Sequence, residues 1–254
     1  MHYVLIIVCC TVFHLSLITV SFADESANRI VEKAFDYWRG TSSYAEFSMT
    51  IHHSDFERSM EMNGWTRGRS DALFFVLKPA KDAGNGSLKK GRDMWSYNPK
   101  INRAIKLPPS MMSQSWMGSD FSNDDLAKSD SILDDYVHTV VEQTTVDGHT
   151  VYTIESIARE EAPVVWGKQV LRVRDDHIML NQKFFDEDME LIKEMSAEGL
   201  VEFSGRLFPR IWTMRRVDEA DRYTRLEYHE IVFDLVLEDR MFTLTHLKNP
   251  KMKR

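Results

Sequence analysis

Short strand-like segments separated by turn residues fill most of the sequence after residue 42. The dipeptide Asp147-Gly148 joins two of them and is a strong signal for a β-hairpin. The segment SYAEFSMTI alternates apolar and polar residues, as a strand with one buried face does. Its apolar positions are Ala45, Phe47, Met49 and Ile51. So many strands joined by hairpins predict a mainly β (α+β) protein with a strongly curved antiparallel sheet or barrel, whose concave side encloses a cavity.

One long helix is expected before the strands. The segment DESANRIVEKAFDYWRG carries an apolar stripe at helical spacing, Asp24 or Ser26 can cap its start, and Gly40 can end it. Short helices are also expected at SNDDLA and around Met111 to Trp116. The composition shows no repeat, linker or break, which predicts a single domain over residues 24–254.

The first 23 residues, MHYVLIIVCCTVFHLSLITVSFA, contain no Asp, Glu, Lys or Arg and end in a small-x-small pattern. This pattern predicts a secretory signal peptide cleaved after Ala23, and therefore an exported protein. The alternative is a retained membrane anchor, because about 20 apolar residues can span a bilayer.

Composition excludes several classes of function for the exported chain. Both cysteines, Cys9 and Cys10, lie inside the first 23 residues, so the rest of the chain has no disulfide, thiolate metal site or cysteine nucleophile. The net charge of −7 argues against a nucleic-acid partner, which requires a basic surface.

The segment MGSDFSNDD holds two incomplete motifs. Ser119 lacks the second glycine of a G-x-S-x-G nucleophile elbow. Asp120, Ser122 and Asp124 have calcium-loop spacing, but Asp125 stands where that loop needs glycine. A helix N-cap followed by acidic residues is the better interpretation. We therefore predict no catalytic residue, no metal and no cofactor.

Three segments resemble a known family. GRDMWSYNPKINRA, which contains Gly91, Trp95, Tyr97, Asn98 and Pro99, resembles the G-x-x-(apolar)-W-x-Y-N-P hairpin of periplasmic lipoprotein carriers of the LolA type. MFTLTHL, residues 241–247, is similar to the segment that closes that fold. PPSMMSQSWMGSDFSNDDL is similar to the F-M-G-S-D-F segment of the outer-membrane lipoprotein-sorting branch, with tryptophan replacing the first phenylalanine.

The resemblance implies an unclosed β-barrel with an N-terminal helix and a short helical lid over an apolar cavity. It implies a periplasmic carrier, not an enzyme, that binds acyl chains of lipoproteins or lipids and transfers them towards the outer membrane. It also implies transient contact with a membrane, and an inner-membrane transporter or an outer-membrane acceptor as a partner. The alternatives are an accessory or structural subunit of an inner-membrane exporter complex and a lipid-acting enzyme.

The resemblance also suggests where a ligand binds. The loop that starts at Pro108 would line or cover the cavity mouth, because methionine repacks readily around irregular apolar cargo. Alternatively, the loop packs down on its own core. If it is a mobile lid, replacing Met112, Trp116 and Met117 with serine should cost little stability. An arginine fastens the lid in the family, with Arg67 or Arg69 as candidates. The predicted cavity and lid residues are Phe47, Met49, Phe74, Trp95, Tyr97, Met111, Met112, Trp116, Met117 and Phe121.

Overall fold

The computed structural model describes residues 22–250 of the chain. Residues 1–21 of the expected signal peptide lie outside the described residues, so cleavage after Ala23 stays a prediction. Within the described range, no helix combines the length and apolar character needed to cross a membrane.

The chain forms thirteen strands and a few helices. The helices are α1 Phe22–Arg39, α2 Pro109–Met112, α3 Asn123–Ala127, α4 Ser131–Asp134 and α5 Leu244–Lys248, with 3-10 turns at Pro99–Ile101, Trp116–Gly118 and Asp239–Phe242. The first six strands are β1 Ser42–His52, β2 Glu57–Arg67, β3 Asp71–Lys78, β4 Gly86–Lys90, β5 Asp93–Asn98 and β6 Arg103–Lys106. The others are β7 Tyr136–Val146, β8 His149–Ala158, β9 Lys168–Arg174, β10 Met179–Phe185, β11 Leu191–Phe203, β12 Arg206–Arg216 and β13 Tyr223–Phe233.

All thirteen strands belong to one antiparallel sheet in the order β6-β5-β4-β3-β2-β1-β13-β12-β11-β10-β9-β8-β7. The first and last strands meet in the middle, where Met49 of β1 lies opposite Leu226 of β13. Among the described residues, β6 and β7 are the two edges and do not pair, so the sheet is not closed. The β7–β8 hairpin turns at Asp147-Gly148, both with positive φ, as predicted. The mainly β, unclosed architecture is confirmed.

The alternation in β1 sorts its side chains between two faces. Phe47, Met49 and Ile51 are at most 4% exposed and form one core cluster with Met60 and Met62 of β2. This face of the sheet is concave, since residues from both halves of the sheet surround one cavity on this side. The predicted inward face of β1 is confirmed.

A second cluster covers the opposite face of the same half of the sheet. Leu73 and Phe75 of β3 point there and meet Phe242 and Leu247 from the C-terminal segment. Segment 241–247 therefore acts as a clamp on the outer face, because its aromatic and aliphatic side chains bury the back of β3 and β4.

Helix α1 packs its apolar stripe against β7, β8 and β9. Ala27, Val31, Ala34 and Phe35 are buried in a cluster with strand residues such as Ile154. The helix ends before Gly40, whose φ of +65° suits glycine, as predicted. It begins at Phe22, earlier than the predicted caps at Asp24 and Ser26.

The turn between α1 and β1 is held by Asp234, which accepts hydrogen bonds from the Thr41 amide and hydroxyl, both at 2.9 Å. These two bonds lower the pKa of the Asp234 carboxyl. A lowered folded-state pKa means that the carboxylate stabilises the fold above the unfolded pKa of about 4, and that this contribution disappears as pH falls through the folded pKa. We expect Asp234→Asn to lose stability at pH 7 relative to wild type, with the difference shrinking below pH ~4.

Urea unfolding at a series of pH values measures this difference. Asp55→Asn, at an exposed aspartate of the β1–β2 turn, is the matched control. A stability difference for Asp234→Asn that stays constant down to pH ~2 would contradict the assignment.

Candidate functional site

A cavity lies between the concave face of the sheet and α1. The space inside it that the centres of water-sized molecules can occupy is about 200 Å³. The wall is predominantly apolar and comes from both halves of the sheet. Its larger apolar members are Phe35, Trp38, Phe47, Phe74, Met94, Trp116, Phe121, Trp166, Leu171, Met179, Phe184, Met195, Trp212, Met214, Leu226 and Tyr228.

Four of the predicted site residues line this cavity, namely Phe47, Phe74, Trp116 and Phe121. Met49 lies beside them in the same core cluster but is fully buried and does not reach the cavity surface. The alternation in β1 predicts that Phe47 points to the concave face of the sheet. Because the cavity lies on that face, the alternation alone was sufficient to place Phe47 in its wall.

The remaining predicted residues lie elsewhere. Met111, Met112 and Met117 are half-buried and pack against the core cluster under the loop, outside the cavity wall. Trp95 and Tyr97 point to the opposite face of the sheet, where they pack with the C-terminal clamp. Their strand does contribute to the cavity, but through Met94, whose side chain alternates to the concave side.

The loop that begins at Pro108 folds as a compact unit. It contains α2 and a 3-10 turn, and an isolated bridge joins Ser115 to Ser122. Met117 and Gly118 both have positive φ, 53° and 83°, which reverses the chain and directs Trp116 inwards.

Trp116 fastens this loop to the strands below it. The side chain is 4% exposed, and its ring centroid lies 5.4 Å from that of Phe74. Its Nε1 donates a 3.0 Å hydrogen bond to the Ser87 hydroxyl of β4. The two interpretations of the loop therefore both apply, since Trp116 is a core residue and a cavity wall residue at the same time.

A polar contact ties the other end of the loop to β13. The Asp120 amide donates to the Thr224 hydroxyl at 2.9 Å, and that hydroxyl donates to the Asp120 carboxylate at 2.7 Å. Arg222 Nε also donates to this carboxylate, at 2.6 Å. We call Asp120, Arg222 and Thr224 the Asp120 anchor. It joins the loop, which packs on the first half of the sheet, to the second half.

A buried lysine supports the same region. Lys193 of β11 donates to the Asp120 carbonyl at 3.3 Å and forms an ion pair with Asp125. Asp125 also accepts a 3.0 Å hydrogen bond from Trp166 Nε1. Ser122 caps α3 in a capping box with Asp125, as the N-cap interpretation predicted.

Ser119 is fully buried in this turn. Its hydroxyl donates to the Trp116 carbonyl at 2.7 Å and lies 3.2 Å from the Phe121 amide, whose hydrogen it accepts. These bonds give the hydroxyl a role in shaping the turn.

Neither predicted lid arginine bonds to the loop in the described part of the chain. Arg67 pairs with Asp71 and Asp239, and Arg69 pairs with two carboxylates of α1. Two other arginines contact the loop instead. Arg222 belongs to the Asp120 anchor, and Arg58 donates to the Met117 carbonyl at 3.3 Å.

One end of the cavity is polar, which the sequence did not indicate. Arg39, Lys89 and Lys128 line it together with Asp124 and several hydroxyl and amide side chains. Lys89 is 2% exposed and Arg39 is 6% exposed. Burial lowers the pKa of the Arg39 guanidinium to about 10, against the opposing influence of Asp130 and Asp71.

Comparisons with known proteins agree with this architecture. A family model with the description "Uncharacterized protein" matches residues 68–249. None of the curated proteins matches the chain.

Several solved structures share the fold. A domain from Vibrio parahaemolyticus, provisionally named an outer membrane lipoprotein-sorting protein domain, is 19% identical with a TM-score of 0.75 over 89% of this chain and 99% of that one. A DUF1329 family protein from Desulfovibrio piger is 21% identical with a TM-score of 0.79 over 89% and 99%. A LolA superfamily protein from Nitrosomonas europaea is 22% identical with a TM-score of 0.72 over 87% and 98%. At such identities the likeness concerns the fold, and it confirms the LolA-type resemblance at that level.

Proposed function

The chain belongs to the family whose model matches residues 68–249, and we propose that it is a periplasmic carrier that shields the acyl chains of a lipoprotein or lipid from water. The observation that carries this proposal is the apolar cavity, which both halves of the sheet and α1 surround. The names of the similar structures, a lipoprotein-sorting domain and a LolA superfamily protein, support the same direction.

The physical basis is burial of hydrocarbon. Each methylene group that leaves water contributes roughly 0.8 kcal/mol, so a long acyl chain gains several kcal/mol even after the cost of ordering it. Aromatic and methionine side chains such as Phe184, Met195 and Trp212 give this cavity a wall that adapts to the chain.

The loop provides a route for loading and release. Trp116 and Phe121 form part of the wall, and the Asp120 anchor fixes their segment to β13. Opening the anchor would expose the cavity without breaking the sheet. We propose that the anchor opens when the protein contacts a membrane, an inner-membrane transporter or an outer-membrane acceptor.

Two other functions compete with the carrier. An accessory subunit of an inner-membrane transport complex would use the same fold without transferring cargo. A lipid-acting enzyme with a serine nucleophile needs an accessible hydroxyl, and the buried Ser119 hydroxyl is engaged in the turn beside Trp116. Lipid extraction and mass spectrometry of protein purified from its native envelope separates these functions, because a carrier should retain acyl cargo and a subunit without a ligand should retain none.

The cavity wall offers a direct test. Leu226 is half-buried, lines the cavity, and lies opposite Met49 and Trp212 on the neighbouring strands. Leu226→Asn keeps the side-chain size but places an amide against the hydrocarbon. We expect the affinity of the delipidated protein for a fluorescent 16-carbon acyl probe to fall about tenfold in an equilibrium titration.

Val141→Asn is the matched control, because Val141 is 56% exposed on β7 and does not line the cavity. It should leave probe affinity unchanged. If both variants bind the probe as tightly as wild type does, the hydrocarbon does not occupy this cavity and the carrier proposal fails.

A further inference from the structure

We propose that the polar end of the cavity, built on Arg39 and Lys89, binds the anionic head group of an amphiphile whose acyl chain occupies the apolar part. This inference rests on the proposed carrier function and names the chemical class of its ligand. The shared chemistry is a carboxylate or phosphate group at the end of a long hydrocarbon chain.

Arg39 is the strongest sign of such a site. It ends α1, lines the cavity and is only 6% exposed. Its Nε and Nη2 atoms donate to the carbonyls of Gly68 and Asp71, both at 2.9 Å, which fixes the plane of the guanidinium. The carboxylates that attract it, those of Asp71 and Asp130, form their ion pairs with Arg67 and Lys89 instead. A buried guanidinium without a carboxylate partner is costly, which favours an anionic ligand as its missing partner.

The other charges at this end are already balanced. Lys89 pairs with Asp130 at 2.7 Å, and Lys128 pairs with Asp124 at 2.9 Å. Of the three cations that line the cavity, Arg39 is therefore the one that supplies excess positive charge in the described chain.

Lys89 adds a second donor close to Arg39. Both side chains line the cavity. Burial lowers the pKa of the Lys89 ammonium, the bonded Asp130 opposes this, and the positive charge of Arg39 adds a smaller lowering effect. Two buried cations that line the same cavity attract an anion more strongly than either one does alone. Arg39 offers a planar donor group suited to carboxylate or phosphate oxygens, and Lys89 offers a point charge.

The polar end is continuous with the apolar wall. Ser87 and Lys89 are two residues apart and lie on the same face of β4. The Ser87 hydroxyl, which accepts the hydrogen bond from Trp116, and the Lys89 ammonium therefore share that face. Ala34 and Phe35, one turn before Arg39 on α1, belong to the apolar part of the same cavity. One molecule can therefore place its head at Arg39 and its chain along the aromatic wall.

The test compares three ligands with the same 16-carbon chain, hexadecanoic acid, hexadecyl phosphate and hexadecanol, bound to delipidated full-length protein in a displacement titration. We expect at least one of the two anions to bind about tenfold or more tightly than the alcohol. The tighter anion identifies whether the head group is a carboxylate or a phosphate. Arg39→Gln should remove this preference while leaving the affinity for hexadecanol unchanged.

Arg210→Gln is the matched control, because Arg210 is exposed on β12, pairs with Glu227 and does not line the cavity. It should keep the preference for anions. Should Arg39→Gln fail to fold, Lys89→Met tests the same site from β4, and the wild-type comparison decides without any variant. Equal affinity of wild type for acid, phosphate and alcohol overturns the anion site and leaves the carrier proposal intact. If none of the three binds, the carrier proposal itself fails.

Discussion

Replacing Trp116 with alanine should lower the free energy of unfolding by about 3–5 kcal/mol, the usual cost of removing a buried tryptophan. The side chain is 4% exposed, packs against Phe74 and sits in the same cluster as Phe47 and Met62. Its removal opens a void that the surrounding strands can fill only in part, and it leaves the Ser87 hydroxyl without its donor. Urea unfolding followed by circular dichroism measures the change.

Trp116→Phe separates packing from hydrogen bonding. It retains most of the aromatic contact with Phe74 but cannot donate to Ser87, so it should cost only about 1–2 kcal/mol. A cost below about 1 kcal/mol for Trp116→Ala would show that the loop is loosely docked. The structure therefore corrects the expectation that replacing Met112, Trp116 and Met117 together leaves stability nearly unchanged, because one of the three is a core residue.

The fold could be predicted because its signals are local. The alternation along β1, the Asp147-Gly148 turn and the stop of α1 at Gly40 each involve only neighbouring residues, and all three appear in the structure. Adjacent antiparallel strands follow from hairpin turns without further information.

The site was predicted only in part, because its geometry depends on which face of each strand is concave. Trp95 and Tyr97 alternate correctly and share one face, but nothing in β5 itself indicates that this face meets the C-terminal clamp. If the faces of β5 are assigned one residue out of register, Trp95 is predicted to reach the cavity, whereas in the structure Met94 does.

The contacts that hold the loop lie far apart in the chain. Arg222 and Thr224 are 102 and 104 residues from Asp120, and Lys193 is 73 residues from it. No local pattern links these positions. The polar end of the cavity also combines residues that are far apart in the chain, since Arg39 and Lys89 line it together only because α1 packs over the curved sheet.

Replacing Asp120 with alanine should release the loop at a cost of about 3–5 kcal/mol, because removing one partner of a buried charged pair leaves the other groups unsatisfied. The Asp120 side chain is completely buried and accepts hydrogen bonds from both Arg222 and Thr224. Amide hydrogen exchange should accelerate over residues 110–122 more than in β1 and β2, because the loop can leave β13 while the sheet stays paired.

Two single replacements show which partner holds the Asp120 carboxylate. Thr224 is fully buried, so Thr224→Val removes the hydroxyl at constant size and should release the loop in part. Arg222 is partly exposed and also pairs with Glu219, but Arg222→Gln leaves the completely buried Asp120 carboxylate without its cation, so it should cost about 3 kcal/mol. In a double-mutant cycle, Asp120→Ala and Thr224→Val should therefore be strongly non-additive. Additive costs, or faster exchange spread evenly over β1 and β2, would mean that Asp120 supports the whole sheet. In that event the loop does not open at β13, and an acyl chain must enter the cavity by another route.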